Sequence, residues 1–219
     1  MGSITRGLSN NITTGGVILP AGITNSSVSA VTSFANASGG TLILLSTQTA
    51  SSSANISFTT GLDSTYDEYQ FKFINIRPAT DNANFTFNLS TDSGSNYNVT
   101  KTTTVFRAYH NEADSFQGLD YQSSSDLAQS TAFQILGENL GNGADENSGG
   151  TLSIFNPAST TYVKHYIGNF SQYNEYDSYT IYHHAGYGNT TSAVNAIQFK
   201  MSSGNIADGI IKLYGVKKS

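Results

Sequence analysis

Between Tyr69 and Arg77, the residues Tyr69, Phe71 and Phe73 occupy every second position, and Ile74 and Ile76 fall on the opposite phase. A period of two is the period of a β-strand, and residues spaced this way cannot make one apolar stripe along a helix. Asn84 to Ser90 repeats the pattern, with Phe85, Phe87 and Leu89 facing one way and Thr86 and Asn88 the other. Pro78 to Asn82 and Asp92 to Asn96 are rich in the residues that turns require.

The same reading extends along the chain. Thr41 to Ser46, Ile56 to Phe58, Val99 to Phe106, Thr151 to Phe155 and Tyr162 to Ile167 read as strands, as do Tyr179 to His183, Ala193 to Met201 and Gly209 to Val216. In the last of these, Ile211, Leu213 and Gly215 oppose Ile210, Lys212 and Tyr214. Ser, Thr and Asn make up about a third of the chain, and Tyr (13) and Phe (12) are abundant. Such a composition suits pleated strands and their turns rather than helices. The pattern predicts an all-β fold, an antiparallel two-sheet sandwich of jelly-roll-like type. One helical turn is expected within Asp126 to Leu136, where Leu127, Ala128 and Thr131 lie at helical spacing.

The N-terminal part is written differently. From Met1 to Leu62 the only charged residue is Arg6, whereas soluble chains are charged at about a quarter of their residues. The segment is too polar to span a bilayer and too poor in charge for a solvated tail. Residues 1–40, punctuated by Gly15-Gly16, Pro20 and Gly39-Gly40, are therefore expected to form an extended attachment arm laid on other protein. Val17, Ile18 and Leu19 are its candidate attachment point to a capsid or tail. Residues 41–219 are expected to form the displayed β domain.

A net charge of −5 without a basic cluster argues against nucleic acid as a partner. The absence of Cys removes disulfides, thiolate metal sites and a cysteine nucleophile. The longest apolar stretch, Leu42 to Leu45, is far too short to enter a membrane as a helix. No nucleophile-elbow, P-loop or paired-histidine zinc motif is present, and no cofactor is expected.

His110, Glu112 and Asp114 would share a face if their segment were an extended strand, offering ligands to a metal or an acid/base pair. A solvated loop beyond a strand ending near Tyr109 is the plainer reading. His183 and His184 are adjacent, so on a strand they point to opposite faces, and His165 lies within a strand. Gly141 to Asn147 resembles a calcium loop in composition alone and reads as a hairpin loop. Sequons such as Asn84, Asn88, Asn98 and Asn169 follow from the abundance of Asn, Ser and Thr. In the aromatic series Tyr162, Tyr166, Phe170, Tyr173, Tyr176, Tyr179, Tyr182 and Tyr187, most rings are expected in the core. Tyr173 and Tyr176 fall in a polar stretch, Ser171 to Ser178, that reads as a loop, and they are the candidates for an interface or a glycan contact.

The segments SSSANISFTTGLDSTYDEYQFKFINIRPATDN, NYNVTKTTTVFRAYHNEADS, DLAQSTAFQ, FNPASTTYVKHYIGN and NTTSAVNAIQFKMSSGNIADGIIKLYGVK resemble a group of virion proteins of marine tailed bacteriophages. The likeness covers about residues 50–217. It implies a non-enzymatic particle component of jelly-roll type, a homotrimer that contacts other virion proteins. It carries no catalytic or binding residues. Such a protein either decorates and cements the capsid or acts as a short tail fibre or adhesin that meets host surface glycan. A sandwich-fold carbohydrate-active enzyme is the most distant reading. The chain has no shaft-like repeat, which favours a unit close to the particle surface and hence decoration.

Overall fold

The computed structural model describes residues 12–13, 16–17, 41–174 and 176–218. The chain divides into residues 1–39 and 40–219. In the first unit, β1 (Ile12–Thr13) and β2 (Gly16–Val17) pair antiparallel, placing Ile12 opposite Val17. Ile18 and Leu19 lie outside the described residues.

The second unit is all-β and antiparallel, and no helix occurs among its described residues. Its strands are β3 (Leu42–Ser53), β4 (Ile56–Phe58), β5 (Glu68–Pro78), β6 (Ala83–Ser90), β7 (Lys101–Asn111) and β8 (Gln117–Tyr121), followed by β9 (Gln134–Leu140), β10 (Ser148–Phe155), β11 (Lys164–Asn174), β12 (Ser178–Gly188), β13 (Ala196–Met201) and β14 (Ile206–Val216). They form one 12-stranded sheet along the path β3-β14-β5-β10-β11. There it forks. One branch runs β12-β7-β8, and the other runs β9-β6-β13-β4, joined to β11 by the single pair Asn174 and Leu140. The sheet nearly closes on itself. Gln48 on β3 donates through Nε2 to the Ser57 carbonyl of β4 at 2.7 Å across the gap.

The alternation read in the sequence builds the core. Phe71 and Phe73 of β5, Phe85 and Phe87 of β6 and Phe199 of β13 are all buried. Phe199 sits at the centre, edge-on to Phe71 (5.3 Å) and Phe73 (5.2 Å) and stacked with Phe85 at 5.9 Å. On β14, Ile211, Leu213 and Gly215 face inward as expected.

One phase is corrected. Ile74 is exposed, but Ile76 is fully buried beside Phe73 rather than on the opposite face. Asn75 adopts φ 51°, and β5 holds one extra residue relative to both neighbours, β10 and β14. This bulge shifts the alternation, so that both Phe73 and Ile76 reach the core. Gly209 on β14 lies against it at φ 133°, where a Cβ would stand 2.7 Å from Ile76 Cδ1. The bulge therefore requires glycine at that position.

The helical turn expected in Asp126 to Leu136 does not form. The segment is laid along β7, with Leu127 N–H donating to Thr103 Oγ1 (2.8 Å) and Lys101 exchanging backbone hydrogen bonds with Ser130. From Gln134 onward the segment is β9.

Candidate functional site

β7 and β12 pair without slippage from Lys101 opposite Gly188 to Asn111 opposite Ser178. β11 flanks β12 over its whole length, and β8 flanks β7. Register then fixes which side chains share each face. One row places Ile167, Ala185 and Thr104 side by side; the next places Asn169, His183, Phe106 and Tyr121; the next Ser171, Ile181, Ala108 and Leu119. This is the outer face, and it sets exposed apolar side chains among Thr104, Asn169, Ser171 and His183. Leu119 is 72% exposed, Ile167 54% and Phe106 45%. The small side chain of Ala185 leaves a hollow of about 490 Å³ between Ile167, Phe155, His165 and Tyr187. His183 stacks on Phe106 at 4.7 Å, with its Nδ1 2.6 Å from Asn169 Oδ1.

The inner face of β7 and β12 is largely polar, while β11 turns Tyr166 and Phe170 into the core. Lys101, Thr103, Thr180 and His184 are buried there beside Val105 and Tyr182. The Lys101 amine donates to Asn88 Oδ1 (2.5 Å) and the Val99 carbonyl (2.8 Å), and burial pulls its pKa down to about 7. Two acceptors suit a neutral amine with two N–H groups. Lys164, also buried, donates to the carbonyls of Tyr162 (2.5 Å) and Thr190 (3.2 Å). His184 donates through Nε2 to the Leu136 carbonyl at 2.7 Å. Burial holds its pKa near 4, and its Nδ1 has no partner among the described residues. Glu138 accepts hydrogen bonds from Ser124, Ser125 and Tyr182. Burial pushes the Tyr182 hydroxyl up to about 12.

Where β9 ends, the inner face opens into a second hollow of about 300 Å³, lined by Arg107, Tyr109, Asn111, Phe116, Asn139, Asn174, Tyr176, Ser178 and Thr180. Tyr109 and Phe116 stack at 4.8 Å and form one wall. Arg107 lies over the Tyr109 ring at 5.0 Å and donates from Nε to Asp120 Oδ1 at 3.0 Å. Burial of Asp120 raises its pKa, but the hydrogen bonds from Arg107 and Gln122 outweigh it and hold the carboxyl below its ordinary value. Asp120 and Glu138 are thus committed to protein donors.

No protein-family model, curated protein or solved structure matches the chain. The functional reading rests on its own chemistry.

The two candidate tyrosines are not brought together. Tyr173 belongs to β11 and faces outward opposite Tyr179, and its hydroxyl donates to Asp177 Oδ1 at 3.0 Å. Partial burial and then that bond push it up to about 12. Tyr176 stands in the β11–β12 turn, 61% exposed, at the mouth of the polar hollow. The loop expected over Ser171 to Ser178 is mostly strand, because the ladder continues to Asn174 opposite Ser178. Its inward residues, Gln172 and Asn174, are buried but polar, so hydropathy concealed it.

The shared face that an extended strand would give His110, Glu112 and Asp114 does not form, and the segment leaves the strand as a loop two residues beyond Tyr109. β7 ends at Asn111, and the chain turns at Asp114 (φ 53°), which brings its Oδ1 to 2.9 Å from His110 Nε2. Among the described residues no three metal-ligating side chains converge. His183 and His184 do take opposite faces, as their adjacency required. In the Gly141 to Asn147 loop, Gly143 N–H donates to Glu146 Oε2 at 2.6 Å. The Asn88 sequon is fully buried, with its amide donating to the carbonyls of Tyr97 and Thr131. Arg107, Tyr109, Phe116, Asn139 and Thr180 were missed by sequence reasoning. The available signal was Phe116, an aromatic residue isolated in the polar run Asn111 to Gln117.

Proposed function

We propose that this chain is a non-enzymatic structural protein of a bacteriophage particle, a capsid decoration or cement protein. In this reading residues 1–40 mount it on the capsid, and residues 41–219 form a displayed sandwich of jelly-roll type, assembled as a homotrimer. One observation carries the proposal: the β11–β12–β7–β8 sheet exposes several large apolar side chains on its outer side. Each large apolar side chain removed from water gains about 1.5–3 kcal/mol, so a face bearing Ile167, Phe106, Leu119 and Tyr121 is built to be covered. Copies of the same chain cover it in the trimer, and the uncharged arm is suited to lie on capsid subunits. The phage-like wording of residues 50–217 supports the same reading.

The test is the number of copies per purified particle, measured by quantitative mass spectrometry. Hundreds of copies are expected for decoration. A few trimers per particle would contradict it and favour the tail-fibre or adhesin reading.

A further inference from the structure

We infer that the polar hollow at the tips of the β7–β8 and β11–β12 hairpins is a binding site for one neutral sugar ring. The inference goes beyond the particle role proposed above and does not depend on a head or tail location.

The argument begins with what a pyranose presents: apolar C–H faces and a rim of hydroxyls that both donate and accept. A matching site offers an aromatic wall and fixed polar groups at its edge. Here Tyr109 and Phe116 supply the wall, and Phe116 is 58% exposed although it packs on its neighbour. The face of Phe116 turned away from Tyr109 is open to a ligand.

The polar groups are held in place before any ligand arrives. Arg107 is clamped by Asp120 and by the Tyr109 ring. Asn139 occupies the left-handed region at φ 54°, fixed by its N–H donating to Asn84 Oδ1 at 3.0 Å. Asn adopts this conformation more readily than other non-glycine residues, and Asn139 lines the hollow. Thr180, only 2% exposed, reaches the hollow from β12.

Charge selects the class of sugar. Arg107 is already neutralised by Asp120, and Glu138 lies beneath Tyr182. Among the described residues no unpaired cation lines the hollow to receive a carboxylate or a phosphate. The volume, about 300 Å³, is at the low end for ligand pockets and admits one ring rather than a chain.

The experiment is saturation-transfer difference NMR on the full-length protein with glucose, galactose, mannose, N-acetylglucosamine and glucuronic acid. Titrations then follow for Phe116→Ala, Asn139→Ala and Tyr162→Ala. Tyr162 is an equally exposed ring outside the hollow. Circular dichroism and melting temperature establish that each variant is folded; Phe116→Ala removes an exposed ring and keeps the fold available for the test. At least one neutral sugar should show transfer, weakened about tenfold or more by Phe116→Ala, reduced by Asn139→Ala and unchanged by Tyr162→Ala. Transfer to none of the neutral sugars would overturn the inference. So would preferred binding of glucuronic acid, or equal binding by wild type and Phe116→Ala. Because the assay uses purified protein, its failure leaves the particle copy number, and the reading built on it, unaffected.

Discussion

The two halves of the β domain obey opposite rules. Around β4, β5, β6 and β13 the apolar residues face inward, and Phe199 sits at the centre of an aromatic cluster. Around β7, β8 and β12 much of the inner side is polar and buried, while Phe106, Leu119 and Tyr121 stand in the open. The first half draws its stability from within the chain. The second leaves apolar area exposed, and its interior is held by hydrogen bonds that specify geometry at some energetic disadvantage.

The largest expected contrast comes from truncating one large apolar side chain in each half. Phe199→Ala should cost about 3–5 kcal/mol, by lost burial and a cavity, and lower the denaturant midpoint accordingly. Leu119→Ala should change the stability of the isolated subunit by less than about 0.5 kcal/mol. A comparable loss at Leu119 would mean that the outer face belongs to an intramolecular core.

Acidity should sharpen the contrast next, because the polar interior holds two groups in their neutral forms. Lys101 has a folded pKa of about 7 against an ordinary 10.5. Between those values the unfolded chain binds the proton that the folded chain refuses, so stability should rise with pH above about 7. His184 has a folded pKa of about 4 against 6.5. By the same sign, its contribution is present above pH 6.5 and lost as pH falls toward 4. Each slope approaches about 1.4 kcal/mol per pH unit. Guanidinium unfolding should therefore rank stability as pH 9.5 above pH 7 above pH 5, and Lys101→Met should flatten the upper limb. An unchanged upper limb in that variant would contradict the assignment to Lys101.

The smallest effect is expected at an exposed ion pair. Lys218 Nζ lies 2.9 Å from Asp67 Oδ1, with both side chains at least half exposed. Asp67→Asn should shift stability by less than about 1 kcal/mol at ordinary salt, a change in melting temperature of at most about 2–4 °C.

How much of this could be read from the sequence follows the same division. Tyr69 to Phe73 and Phe85 to Leu89 were legible because alternation of large apolar and polar residues points to one buried side. The bulge at Asn75 was not, since an inserted residue changes the phase without leaving a compositional mark. In β12 both phases carry large residues, Tyr179, Ile181 and His183 against Thr180, Tyr182 and His184, so the inward face could not be chosen. β8, with Gly118 and Asp120 inside it, and β9, with Gly137, Glu138 and Asn139, were overlooked, and the start of β9 fell within the expected helical turn. The polar hollow inherits that blindness. Tyr176 was found as an isolated aromatic residue, but its neighbours Tyr109, Phe116, Asn139 and Thr180 come from four separate parts of the chain.

The central claim is that the outward apolar face is covered by copies of the same chain. Sedimentation equilibrium of the full-length protein, wild type against Ile167→Asp with Phe106→Asp, tests it most directly. The wild type should be a trimer and the double variant a folded monomer with an unchanged circular dichroism spectrum. A monomeric wild type, or a variant that remains a trimer, would contradict the account.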